Sequence, residues 1–143
     1  MEEKRFGLGV FLYLFNKDIS KVLLLRLNEI KRNKFDATWG NVGGKINHGE
    51  TSLEACIREA EEEIGVRFSS ADLRLLYVKE MPRFFKGIHA VQFVYGTSLE
   101  EQRLITPSRE VEGYQWFKLD DLPNETLDPE EDFHKARGLF TFS

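Results

Sequence analysis

The 143-residue chain has a length typical of one domain, and its 41% apolar content indicates a packed globule rather than a disordered chain. Its net charge of −4 gives no general attraction to nucleic acid polymers or anionic membranes, so we expect neither as a partner. The single cysteine, Cys56, excludes an internal disulfide and no apolar run could span a bilayer, so we expect one cytoplasmic domain over residues 1–143.

The first part of the chain predicts strands. Residues 6–15 and 22–27 are apolar, β-prone runs, and the turn-forming residues 16–18 between them predict a hairpin. Residues 39–45 are rich in glycine and predict a short strand or a loop.

One long helix is predicted next. Thr51 and Glu54 form a capping-box signature, and Gly65 is suited to end the helix. Apolar side chains between them recur at the spacing of one helix face, namely Leu53, Ile57, Ala60 and Ile64. On the side away from this stripe lie Glu59, Glu62 and Glu63.

The second half predicts three further strands, at residues 71–79, 88–95 and 114–119. Pro82 and Gly87 interrupt the pattern between the first two of them. A short last helix is predicted to begin at Asp128, with Pro129 at its first position, and to end at Gly138. Together these elements predict an α/β protein in which helices pack on a mixed sheet.

The glutamates of the long helix are unfavourably placed for stability alone. Glu59 faces Glu62 and Glu63 at i+3 and i+4, and each like-charge pair costs about 0.2–0.5 kcal/mol. The last two also lie in the final helical turn, where the helix dipole disfavours anions by about 0.3–1 kcal/mol. A solvated acidic face is the simple interpretation of such a run. A bound Mg²⁺ or Mn²⁺ explains it better, because hard oxygen ligands suit these cations and their charge removes both penalties.

The spacing around these glutamates resembles the signature of a known family. From Gly44 the chain reads Gly, five residues, Glu50, seven residues, and then Arg-Glu-Ala-Glu-Glu-Glu-Ile-Gly-Val at residues 58–66. This is similar to the Nudix box, Gly-x5-Glu-x7-Arg-Glu-U-x-Glu-Glu-x-Gly-U, in which U is a bulky aliphatic residue. Only Ala60 is small for its position. The resemblance implies the Nudix fold, an α/β/α sandwich with a mixed sheet and a loop–helix–loop catalytic motif.

The resemblance also implies roles for individual residues. Glu59, Glu62 and Glu63, with the carbonyl of Gly44, are expected to bind Mg²⁺, for which Mn²⁺ can substitute. Two further residues, Glu50 and Arg58, are expected to be structural and to fix the rotamers of the ligands.

The activity implied is the attack of water on a phosphorus of a nucleoside diphosphate derivative. The general base varies in such enzymes between a glutamate of the box and one in the loop before a late strand. Here that loop spans residues 106–113, and Glu110 is our preferred loop candidate, as base or as extra metal ligand. The simpler alternative for Glu110 is a surface acid in a turn.

The substrate follows less directly. Residues 39–45, Trp-Gly-Asn-Val-Gly-Gly-Lys, resemble a segment of MutT-like enzymes that clear oxidised purine nucleoside triphosphates such as 8-oxo-dGTP. This likeness makes a (deoxy)nucleoside triphosphate the first expectation for the nucleotide substrate. The substrate-binding candidates are Asn41, Gly43, Lys45 and Arg83.

Two alternatives remain open. Asp128 stands where those enzymes carry an aromatic residue, which favours ADP-ribose or another nucleoside diphosphate sugar as substrate. A non-catalytic nucleotide-binding regulator on the same fold is the second alternative, although the box glutamates are all present. A homodimer is also compatible with the resemblance.

Overall fold

The computed structural model describes residues 4–141, which form seven strands, three helices and a short 3-10 turn. The elements in chain order are β1 (Arg5–Phe15), β2 (Lys21–Leu27), α1 (Glu29–Phe35), β3 (Trp39–Gly40), β4 (Val42–Lys45), α2 (Ser52–Ile64), the 3-10 turn (Ser70–Asp72), β5 (Arg74–Phe85), β6 (Ile88–Ser98), β7 (Val111–Lys118) and α3 (Glu130–Thr141). Among residues 4–141, no helix has the length and apolar content needed to cross a membrane.

All seven strands belong to one mixed sheet. Its main order is β3-β2-β1-β6-β5, in which β1 and β6 run parallel while β1–β2, β2–β3 and β5–β6 are antiparallel. One edge of β1 is shared, because residues 9–12 pair with β4 and residues 14–15 pair with β2. The sheet therefore divides along β1, and β4 leads from this division toward α2.

The two faces of the sheet carry separate cores. Alternate side chains of β1 point to opposite faces, so Leu12 and Leu14 pack on the side of α2, whereas Tyr13 and Phe15 pack on the side of α3. On the second side Phe133 of α3 is completely buried. Helices thus cover both faces, which confirms the predicted α/β/α sandwich.

Helix α2 forms for the local reasons visible in the sequence. Thr51 Oγ1 accepts a hydrogen bond from the Glu54 N–H, and the Glu54 carboxylate accepts one from the Thr51 N–H, which closes the predicted capping box. At the other end Gly65 adopts a left-handed conformation, with φ of 69°, and its N–H donates to the Glu61 carbonyl. The helix therefore begins and ends as predicted.

Helix α1 was not predicted. It is seven residues long, buries none of its residues and has no apolar stripe in its sequence. Asn28 is its cap, and the side chain accepts a hydrogen bond from the Lys31 N–H at 2.9 Å. The cap residue was the available signal, but no apolar stripe accompanied it.

The predicted bounds of β5 and α3 were wrong. Strand β5 continues past Pro82 to Phe85, because β5 is the edge strand of the sheet and its register with β6 shifts after Met81. Helix α3 begins at Glu130 rather than at Asp128, and it continues through Gly138 to Thr141. The short strand or loop predicted at residues 39–45 is present as β3 and β4.

Candidate metal and diphosphate site

The site begins where β4 meets α2. Gly44 lies so close to Glu59 that a Cβ on Gly44 would overlap the carboxyl carbon and both oxygens of Glu59. The N–H of the preceding Gly43 donates to Glu63 Oε2 at 3.1 Å. Two carboxylates of α2 are thereby positioned against the glycines of β4.

Glu63 is buried, with 4% of its surface exposed. Burial, and then the neighbouring Glu59 carboxylate, raise the pKa of Glu63 well above its usual range, and the positive charge of Lys31 partly opposes this. Two adjacent carboxylates with little access to water are an unfavourable arrangement in isolation. A divalent cation beside them would stabilise the ionised form of both.

Arg58 connects the carboxylates around the site. Its Nε and Nη2 donate to the two oxygens of Glu50 at 2.7 and 3.0 Å. Its Nη1 donates to Glu59 at 2.8 Å and to Glu62 at 3.1 Å, and its Nη2 also donates to the Lys45 carbonyl at 2.9 Å. A guanidinium carries five N–H donors, so this network engages all of them. Arg58 therefore fixes carboxylate orientations and has no donor left for a ligand.

The four predicted metal ligands are not equally placed. Gly44, Glu59 and Glu63 adjoin one another, whereas the side chain of Glu62 is 57% exposed and is turned toward Arg58. Within residues 4–141 no three side chains of His, Cys, Asp or Glu already converge at metal-ligand spacing. The oxygen donors nevertheless fit Mg²⁺ or Mn²⁺ in kind.

The loop before β7 closes over the end of α2. The Ser108 N–H donates to the Glu63 carbonyl and the Thr106 N–H donates to the Ile64 carbonyl, both at 3.0 Å. Two residues beyond Ser108, the Glu110 carboxylate pairs with Lys31 of α1 at 2.9 Å. The loop candidate Glu110 is therefore near the C-terminal end of α2, although its carboxylate is bound to a lysine.

The predicted substrate-binding residues are dispersed. Asn41 is buried, and its Nδ2 donates to Asp128 Oδ2 at 2.7 Å. The exposed Lys45 lies on the face of β4 opposite to Gly44. Arg83 is exposed near the tip of the β5–β6 hairpin.

The hairpin tip also meets α1. The rings of Phe84 in β5 and Phe35 in α1 lie 6.3 Å apart between centroids. This contact links two segments that are far apart in sequence, and it puts the neighbourhood of Arg83 beside the end of α1.

Sequence reasoning missed two partners of the candidate residues. Lys31 was missed because α1 was missed. Asp128 was interpreted as a helix cap, but its carboxylate is buried and accepts hydrogen bonds from the Tyr13 hydroxyl at 3.2 Å and from Asn41. These partners are 115 and 87 residues away in the chain, so no local pattern could reveal them.

Comparison with known proteins identifies the family of the chain. A model of the NUDIX domain matches residues 5–137. The m7GpppN-mRNA hydrolase NUDT17 of Xenopus laevis is 29% identical over 123 residues, which cover 78% of this chain and 42% of that protein. The m7GpppN-mRNA hydrolase dcap-2 of Caenorhabditis elegans is 32% identical over 91 residues, covering 63% of this chain and 11% of that protein. The chain thus spans less than half the length of these curated relatives.

Solved structures agree in fold. A MutT NUDIX hydrolase from Burkholderia pseudomallei superposes with a TM-score of 0.73 at 25% identity, covering 96% of this chain and 98% of that one. A MutT/nudix family protein from Enterococcus faecalis gives a TM-score of 0.73 at 23% identity, covering 95% of this chain and 62% of that one. The match over residues 5–137 confirms the resemblance seen in the box, and the chain belongs to the NUDIX domain family.

Proposed function

We propose that the protein hydrolyses a diphosphate bond in a nucleoside diphosphate derivative, with Mg²⁺ as cofactor and Mn²⁺ as a substitute. The observation that carries this proposal is the placement of Glu59 and Glu63 against Gly43 and Gly44, in a chain of the NUDIX family. Bound Mg²⁺ supplies charge neutralisation at the phosphates and lowers the pKa of a coordinated water. Glu110 is the loop carboxylate that we propose as base, with the box glutamates as the alternative.

For the substrate we propose a (deoxy)nucleoside triphosphate such as 8-oxo-dGTP, which would give the monophosphate and pyrophosphate. The segment from Trp39 to Lys45 supports this choice, because it resembles that of enzymes acting on oxidised purine nucleotides.

A second candidate is a nucleotide in which the diphosphate joins two larger groups, such as ADP-ribose, another nucleoside diphosphate sugar or a cap. Two observations favour it. Asp128 replaces the expected aromatic residue and is engaged by Tyr13 and Asn41. The curated relatives are named as m7GpppN-mRNA hydrolases, and a capped RNA therefore belongs in the test even though the net charge predicts no nucleic acid partner.

The test is hydrolysis of a substrate panel with Mg²⁺. It contains 8-oxo-dGTP, dGTP, ADP-ribose, nucleotide sugars, dinucleoside polyphosphates and an m7GpppN-capped RNA. Preferential turnover of the triphosphates supports the first substrate class, and turnover restricted to the other compounds replaces it with the second. No turnover of any compound would refute the hydrolase proposal.

A pair of variants tests whether turnover depends on Glu62 in particular or on any glutamate of α2. Glu62→Gln should abolish turnover, because it removes a proposed ligand. Glu61→Gln should retain it, since Glu61 pairs with the exposed Arg67 on the outer side of α2. Equal loss in both variants would contradict the assignment of Glu62.

A further inference from the structure

Helix α1 places a lysine at the end of the candidate site. Lys31 Nζ lies 2.9 Å from Glu110 Oε2, and the side chains are 28% and 59% exposed. The backbone repeats the connection, because the Asn28 N–H donates to the Glu110 carbonyl at 3.1 Å. Helix α1 is therefore attached to Glu110 twice, by the side-chain ion pair of Lys31 and by the backbone hydrogen bond of its cap residue Asn28.

This lysine lies beside the loop that closes over the C-terminal end of α2. The loop that carries Glu110 is hydrogen-bonded through Ser108 to the Glu63 carbonyl at 3.0 Å. Lys31 is bound to that loop two residues further on, at Glu110.

The other nearby cations are less suited to meet a phosphate. All five N–H groups of Arg58 are engaged by Glu50, Glu59, Glu62 and the Lys45 carbonyl. Lys45 belongs to the face of β4 opposite to Gly44. Lys31 differs from both, because an ammonium carries three donors and the bond to Glu110 uses one.

We propose that Lys31 is a substrate-binding residue that contacts a phosphate of the diphosphate, and that Glu110 occupies its ammonium until the phosphate arrives. The inference rests on the proposed function and names a contact within the same site. An ion pair as exposed as Lys31–Glu110 contributes little and is readily exchanged. A phosphate offers Lys31 a stronger charge-assisted partner than a single carboxylate.

The exchange has a consequence for Glu110. When the phosphate takes the ammonium, the Glu110 carboxylate loses its counter-ion while it remains in the loop beside the end of α2. A carboxylate released in this way is available to a water molecule or to a cation only when a diphosphate is present.

The test measures binding without hydrolysis. Imidodiphosphate, a diphosphate with a non-cleavable bridge, is titrated calorimetrically into the Mg²⁺-loaded protein. Lys31→Met and Lys31→Gln should each weaken binding by about tenfold, whereas Lys31→Arg should bind within about threefold of wild type. Glu110→Gln should bind at least as tightly as wild type, because it removes the competitor for the ammonium.

The double variant, Lys31→Met with Glu110→Gln, shows whether Lys31 contacts the phosphate itself or only positions Glu110. If Lys31 contacts the phosphate, Lys31→Met must weaken binding by a similar factor in the Glu110→Gln background. If the effect disappears there, Lys31 acts only by holding Glu110 and the inference is wrong. Arg32→Met is the matched control, because Arg32 anchors the same helix to Glu112 and to the Leu27 carbonyl without reaching Glu110. Equal weakening in this control would also overturn the inference.

The remaining outcomes separate the inference from the proposed function. Unchanged binding in Lys31→Met and Lys31→Gln, or no binding of imidodiphosphate by wild type, overturns the inference even if the substrate panel is hydrolysed. Lys31-dependent binding in a protein that hydrolyses nothing supports the contact and refutes only the hydrolase proposal. Melting temperatures of all variants verify that the compared proteins are folded.

Discussion

Gly44→Ala tests whether the contact between β4 and α2 positions the Glu59 carboxylate. A Cβ at residue 44 would overlap all three atoms of that carboxyl group. The φ of Gly44 lies outside the left-handed region, so the alanine backbone itself is not strained. The effect of the substitution should therefore come from displacing Glu59.

The expected magnitude follows from this overlap. Overpacking at a confined position costs about 1–3 kcal/mol of unfolding free energy. Arg58 Nη1 donates to Glu59 at 2.8 Å, so a displaced carboxylate also loses that hydrogen bond. Misplacement of a reacting group by about 1 Å can reduce turnover by a factor on the order of 100. We expect a loss of both stability and kcat/KM in these ranges.

The measurements are denaturant unfolding in EDTA, the rise of Tm on addition of Mg²⁺, and kcat/KM on the best substrate of the panel. Gly138→Ala is the matched control, because a Cβ at that position of α3 meets no atom within 4 Å. An alanine inside a helix should raise the unfolding free energy by about 0.5–1 kcal/mol. A Gly44→Ala protein with wild-type stability and a wild-type response to Mg²⁺ would refute the reasoning.

Three further predictions concern charged groups. In the metal-free protein burial, and then Glu59, raise the pKa of Glu63 above its value in the unfolded chain, so the folded state binds an extra proton and the unfolding free energy should fall as the pH rises above that unfolded value. Thermal melts in EDTA from about pH 5 to about pH 8 test this, and Glu63→Gln should flatten the dependence of stability on pH. A flat profile for the wild-type protein would contradict the prediction. Glu110→Gln should lower kcat by about 100-fold or more if Glu110 is the base, while Glu112→Gln, which loses a pair with Arg32, should leave kcat near wild type. Arg58→Met should lower the unfolding free energy by about 2 kcal/mol, whereas Arg67→Met should change it by less than about 0.5 kcal/mol. Equal melting temperatures of these two variants would oppose the proposed structural role of Arg58.

The parts of the fold that are encoded locally could be predicted from sequence. Helix α2 is such a case, because Thr51, Glu54 and Gly65 each act within a few residues of their own position. The hairpin of β1 and β2 is another, since both strands are apolar runs on either side of a turn. The box is also local, and it could be recognised from sequence as a resemblance, whereas the ligand roles that the resemblance implies for Glu59 and Glu63 stay predictions.

Features that depend on distant partners could not be predicted. Pro82 does not end β5, because the tolerance of a proline depends on the strand lying at the edge of the sheet. Lys31 meets Glu110 across 79 residues, and Asn41 meets Asp128 across 87. Only the assembled sheet brings these partners together.

The attachment of α1 has a consequence for how this family member can change over time. The helix buries none of its seven residues and is held by hydrogen bonds and ion pairs to the loop before β7 and to the start of β7. Apart from Phe35, whose ring meets Phe84, substitutions on it therefore remove little apolar packing, in contrast to substitutions in α2, where Ala60 and Ile64 are completely buried. Selection can replace most side chains of α1 at little expense to folding, so new substrate preferences would arise there while α2 stays constant.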